Sequence, residues 1–238
     1  MKCVGLMGGN APTVMKYQAG TTFAQVGVPV VVAGSGGYGL QKATTTAAVS
    51  TVGVTLDTAT PSNTQATDGT DTERDISVII NPGAIYRARL CGGATDGTAC
   101  VEGTETVGST TGLLVTTGVD YSSPASDETG LFCSYGANVG LFRKITSLSG
   151  TAAVNICAWP RDIAIGDKFI RIPVSFMDKQ FPQLTTLLTE VDHTAAVDTN
   201  NANFFLTKLI VPPAQADYTT QLAVDMTLWD SVFAAGAQ

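Results

Sequence analysis

Between residues 26 and 56 the chain reads VGVPVVVAGSGGYGLQKATTTAAVSTVGVTL, with β-branched residues in short apolar runs, glycine between them and Lys42 as the lone charge. Short runs of this kind, bounded by Gly, Thr, Ser and Asp, read as packed β-strands. The pattern predicts strands at 29–33, 39–43 and 49–56, with GSGG as a tight turn between the first two. It recurs in ISVIINPGAIYRARL and GLFRKITSLSGTAAVNICAW, predicting strands at 76–80, 85–91, 113–119, 131–135, 141–148, 152–158 and 168–176 and a last pair at 204–211 and 221–229. In the strand at 85–91, Ile85, Arg87 and Arg89 alternate with Tyr86, Ala88 and Leu90, so one face is polar. Regular spacing of short strands argues for a barrel or sandwich. The expected class is mainly β, with one or two small modules, an extended N-terminal arm and one short helix.

That helix is expected in FPQLTTLLTEVD, near 182–191, where Leu184, Leu187, Leu188 and Val191 fall at i, i+3, i+4 and i+7 behind Pro182. Residues 1–20 are broken by Gly5, Gly8, Gly9 and Asn10, and read as an arm carrying Val4, Leu6, Met7, Val14, Met15 and Tyr17. An arm this apolar packs on its own body or on a partner, because ordering glycine-rich chain must be offset by buried side chains. The stretch DTATPSNTQATDGTDTERD is polar and turn-rich, a linker or long acidic loop. These features divide the chain into an arm at 1–20, a first β-module at 21–75 and a larger second module at 76–238. GYGLQKATTTAAVSTVGV and NVGLFRKITSLSGTAAVNI share a frame compatible with a duplicated module.

Composition adds a constraint on the surface. Charged residues are only 14 % of the chain, against about 25 % in an average protein. Solubility then rests on Thr, Ser, Asn and Gly, or on coverage by neighbours. The net charge of −7 and the lack of a basic cluster argue against direct contact with nucleic acid. No apolar run reaches the ~20 residues of a membrane helix, and glycines interrupt any signal-peptide core, so a soluble, unprocessed cytosolic product is expected. The five cysteines, Cys3, Cys91, Cys100, Cys133 and Cys157, lack CxxC spacing and read as free thiols. Cys91 and Cys100 bracket a hairpin tip across which they could approach each other.

Each candidate for chemistry has a plainer reading. Gly34, Gly36 and Gly39 with Asp57 match the spacing of a dinucleotide fingerprint, yet the chain after Gly39 is strand-like where a helix must open, so a hairpin turn is expected. Asp68, Asp71, Glu73 and Asp75 offer oxygens for Ca²⁺, but their spacing suits a solvated loop. His193, the single histidine, has no serine elbow to serve and reads as a loop residue. Trp159, Tyr121, Tyr135 and Trp229 could stack on a sugar or anchor a core. No reactive constellation assembles, so neither an enzyme nor a cofactor or metal site is expected.

Two stretches carry a family resemblance. VGVPVVVAGSGGYGLQKATTTAAVSTVGVTLDTAT resembles the small β-barrel of tailed-bacteriophage head decoration proteins, and ISVIINPGAIYRARLCGGATDGTA is similar to a segment of phage structural proteins; together they cover about a quarter of the chain. The resemblance implies a cement protein on the outer capsid surface of a virion, made in the host bacterial cytoplasm. It further implies a homotrimer or other homo-oligomer that clamps neighbouring copies of the major capsid protein. Val4, Leu6, Met7, Val14 and Tyr17 are the expected contacts, on an arm expected to be dispensable for folding. A carbohydrate-binding fibre or tail-surface module is the alternative.

Overall fold

The computed structural model describes residues 1–7, 11–32, 39–45, 51–59, 75–106, 115–116, 129–149, 152–155, 157–179, 181–196, 202–216 and 221–229. Among these the chain is mainly β, with one short α-helix. A five-stranded antiparallel sheet is ordered β2 (Val14–Gln18), β6 (Asp75–Ile79), β5 (Thr51–Thr55), β3 (Pro29–Val32) and β4 (Leu40–Lys42). It curls until its ends nearly meet: Ala19, just past β2, bridges Leu40 of β4, and the Gly20 amide donates to Leu40 O at 2.7 Å. The approach depends on Gly39, at φ +72°, where a Cβ would lie 2.4 Å from Gln18 O. One bridge leaves the sheet curled and partly open.

A six-stranded sheet runs β14 (Pro182–Leu184), β15 (Val191–Ala196), β7 (Ala84–Cys91), β17 (Ala223–Leu228) and β16 (Phe204–Val211), with β1 (Lys2–Leu6) also on β7. Antiparallel β1 takes residues 84–87 of β7, while β15 runs parallel to Leu90 and Cys91. This sheet also curls, since end strands β14 and β16 approach one another. Rings of Phe181, Phe205 and Trp229 pack at that seam with centroids 4.9–5.8 Å apart. The third sheet is ordered β8 (Glu102–Thr104), β13 (Lys168–Pro173), β10 (Thr129–Tyr135), β11 (Phe142–Ser149), β12 (Ala152–Asn155) and β9 (Val115–Thr116).

Strand alternation explains how the sheets stack. Along β7, Ala84, Tyr86, Ala88 and Leu90 are buried while Ile85, Arg87 and Arg89 are half-buried, as the pattern predicts. The buried set joins Val30, Val52, Val54, Ile76 and Val78 of the five-stranded sheet in one core. Phe132, Ile170 and Ile172 bring one face of the third sheet into that core. Its other face sends Leu131, Cys133, Ile145 and Phe169 into a smaller core with Trp159 and Ile163. A continuous apolar interior therefore runs through residues on both sides of position 75.

The helix departs from expectation. α1 spans Val174–Lys179, at the end of the segment expected to be a strand, and buries Phe176. Residues 182–191 instead form the arm of β14, a turn and the start of β15, with Leu188 at φ +67°. Leu184, Leu188 and Val191 are buried there without a helix. Thr185, Thr186 and Thr189 are β-branched and weak helix formers, and two of them are claimed by tertiary bonds: the Thr185 and Thr189 hydroxyls donate to the two oxygens of the Asp96 carboxylate. The N-terminal segment packs on the chain's own body, as the paired strands β1 and β2.

Candidate adhesive site at a bent strand pair

The chain turns from β6 into β7 at Asn81–Pro82–Gly83, where Asn81 Oδ1 accepts the Gly83 amide at 2.9 Å. Residues 1–7 and 11–18 follow it around this corner as antiparallel companions. β1 lies on β7, the Met7 amide donates to Gly83 O at 2.8 Å, the Ile80 amide donates to Thr13 O at 3.1 Å, and β2 lies on β6. Both N-terminal strands sit at sheet edges, their outer sides without a paired strand among the described residues. Between Cys3 and Gly5 the ladder slips, making Val4 a bulge residue.

In the angle of the corner lies a groove of about 430 Å³ lined by Cys3, Val4, Gly5, Leu6, Pro12, Val14, Leu56 and Ile79. Among the described residues no charged side chain lines it. Val4, Met7, Val14, Met15 and Leu56 are exposed apolar residues in or beside it, Met7 to 62 %. A small contiguous apolar surface of this kind marks interaction sites. Three of the five sequence-expected contacts, Val4, Leu6 and Val14, thus line one groove. Met7 stands at the corner beyond β1, and Tyr17 turns away, packing against the main core with its hydroxyl 3.6 Å from Met15 Sδ. Leu56 and Ile79 were not legible as partners of the arm, because the bend that gathers them is tertiary.

The other candidates go elsewhere. Gly34, Gly36, Asp68, Asp71, Glu73 and Tyr121, with part of the shared-frame segments, lie outside the described residues. Gly39 leads into strand β4 rather than a helix, and Asp57 Oδ1 accepts the Ser77 amide at 2.8 Å. Asp75 opens β6 opposite Gln18. His193 is a buried residue of β15 and not of a loop; Nδ1 lies 2.5 Å from Cys91 O and Nε2 3.0 Å from Arg171 O, and its ring meets Phe176. Trp159 is a core residue, 1 % exposed, under the Arg143 guanidinium. Trp229 is 45 % exposed at the seam, and Tyr135 is exposed at the end of β10.

The hairpin cysteines part company across their strand. Cys91 donates to Glu190 Oε2, whereas Cys100 packs on the main core and points to Leu90 O. Burial, followed by the neighbouring Glu190 carboxylate, pushes the Cys91 thiol up to about 12. Burial also pushes Cys100 and Cys133 up to about 12. Such thiols are poor nucleophiles and poor ligands. Among the described residues no group of three His, Cys, Asp or Glu is placed to hold a metal ion, and no helix is long and apolar enough to cross a membrane. Comparison with models of protein families, with curated proteins and with solved structures finds no match for this chain.

Proposed function

We propose that this chain is a structural protein of a tailed-bacteriophage virion that binds the outer capsid surface and reinforces contacts between major capsid subunits. The observation that carries the reading is the uncharged groove beside two edge strands, an arrangement suited to adhesion through backbone pairing and small apolar contacts. Val4, Leu6 and Val14 in the groove, with the exposed Met7 beside it, are its contact residues. Each contact is weak alone, since burying one such side chain is worth about 1.5–3 kcal/mol at most. Repetition over a lattice makes the sum effective, and binding only the assembled shell stabilises that shell by about 2.7 kcal/mol per site at a hundredfold excess over Kd. The acidic balance of the chain suits the outside of a particle better than its nucleic-acid interior.

The test is re-addition of purified protein to shells that lack it, with bound copies counted by gel densitometry and shell rupture followed on heating. Wild type is expected to bind at many copies and raise the rupture temperature, while V4D/M7D, altered only at exposed positions, binds at least tenfold less. Equal binding by the variant would remove the corner from the function, and no binding by wild type would remove the function itself. The exposed Trp229, braced by Phe181 and Phe205, favours the glycan-binding module as the second reading. That reading expects glycan-array signal abolished by W229A and few copies per particle.

A further inference from the structure

Between the six-stranded sheet and the third sheet lies a pocket of about 180 Å³, bounded by the end of β7, the residues that lead into β17, and strands β8, β10 and β13. Leu90, Ile170, Pro213 and Leu222 give it apolar walls. Backbone bonds fix its frame: the Leu90 amide donates to Leu222 O at 2.8 Å, the Gly92 amide to Thr98 O at 3.0 Å and the Arg171 amide to Val101 O at 3.0 Å. Gly92 lets the loop close beside it, since a Cβ there would lie 2.1 Å from Ala99 O. The walls are therefore held in place before any ligand arrives, which lowers the ordering cost of binding.

The polar atoms at this pocket are short of hydrogen-bond donors. Gln221 Oε1 is buried there and accepts from no group. The buried Ser134 has one hydroxyl proton, while Glu102 Oε2 at 3.1 Å and Lys168 O at 3.2 Å are both placed to accept it. The Cys100 thiol is directed at Leu90 O, 3.6 Å away. A buried acceptor without a donor is unfavourable, and a molecule that gives it a proton relieves that cost. Charge narrows the partner further. Glu102 disfavours an anion, and Lys168 Nζ, 3.4 Å from Glu102 Oε1, neutralises that carboxylate, so the residues described here offer no net charge to a cation. Size narrows it again: a cavity of about 150 Å³ is enough to take benzene.

We propose that this pocket binds a neutral, ring-sized organic molecule that donates one O–H or N–H to Gln221 Oε1 while its apolar part lies against Leu90, Ile170 and Leu222. Water satisfies the acceptor but leaves the apolar walls wet, so a molecule with both parts displaces it. The pocket shares no lining residue with the β1–β2 corner groove, and the proposal stands apart from the adhesive reading.

The experiment is an NMR titration of the ¹⁵N-labelled full chain with three probes: phenol, which has ring and donor; anisole, which has the ring without a donor; and benzylammonium, which adds a charge. Phenol is expected to bind saturably with a Kd of about 10 mM or lower, moving the amides of Cys100, Ser134 and Leu222. Anisole is expected to bind at least about fivefold more weakly, and benzylammonium more weakly than phenol. Q221M keeps the side-chain length and removes the acceptor, so it is expected to bind phenol and anisole alike. Circular dichroism confirms its fold, and Q221A replaces it should it unfold. A weaker phenol Kd, shifts confined to other amides, a smaller donor advantage, tighter binding of benzylammonium, or a phenol preference that survives loss of the Gln221 acceptor would each overturn the proposal.

Discussion

At the scale of single residues, the side chains with chemical potential are spent on structure. Arg87 donates through Nε and Nη2 to the two oxygens of Asp225 at 2.7 and 2.9 Å, tying β7 to β17, and through Nη1 to Gln215 O at 3.0 Å. Both partners are largely buried, so D225N, which keeps the shape and removes the charge, is expected to cost about 1.5–3 kcal/mol in urea unfolding. The cysteines give a second check. Burial pushes Cys91, Cys100 and Cys133 up to about 12, so at pH 8 almost none of each is thiolate, and of the five cysteines only Cys157 is exposed. Iodoacetamide on the native protein is expected to modify Cys157 first, with those three slower by at least tenfold by mass spectrometry. Free thiols were readable from odd count and spacing; their separation onto two faces of a strand was not.

At the scale of elements, alternation was a sound guide wherever one face of a strand meets the core. β3, β5, β6, β7, β16 and β17 fall within a residue or two of the apolar runs that predict them. In β16, FFLTKLIV, burial follows composition: Phe204, Leu206, Ile210 and Val211 are buried, and Thr207 and Lys208 are exposed. The helical spacing at 182–191 misled for a related reason. Leu184, Leu188 and Val191 satisfy a burial demand that a helix or a tight turn can meet equally, and the Asp96 loop decides between them by holding Thr185 and Thr189. D96A is therefore expected to loosen the turn, raising amide exchange at residues 185–190 by about tenfold and leaving β7 protected. Gly53 shows a second demand that spacing hides: in β5 a Cβ would lie 2.0 Å from Ile79 O and 2.7 Å from Val78 Cγ1. G53A must push backbone apart and is expected to cost about 1–3 kcal/mol in thermal or urea unfolding.

At the scale of the molecule, the N-terminal segment is a companion to the bend that links two sheets. Deleting residues 1–18 would strip β1 and β2 from β7 and β6 and uncover Ile76, Val78, Tyr86 and Ala84 in the core. The truncated chain is expected to aggregate or to melt at least 10 °C lower in calorimetry, in contrast to the arm dispensable for folding that the cement resemblance implies. Adhesion is therefore better tested by point changes at Met7 or Val14 than by truncation. The turns at Gly136 and Gly166 are braced by Asn138 and Asp167 reaching across space, contacts that no local pattern records.

What the sequence alone determined was the β class, the places of most strands and the inward face of β7, because these follow from periodicity and turn residues over a few positions. The arrangement was decided by tertiary structure: two curled sheets sharing one core, a helix moved to Val174–Lys179, and a groove assembled from Leu6, Pro12, Val14, Leu56 and Ile79. Those features depend on contacts between residues far apart in the chain, whose energy no local pattern records. The same apolar residue can line a core, a seam or a docking groove, and only its neighbours in space decide which.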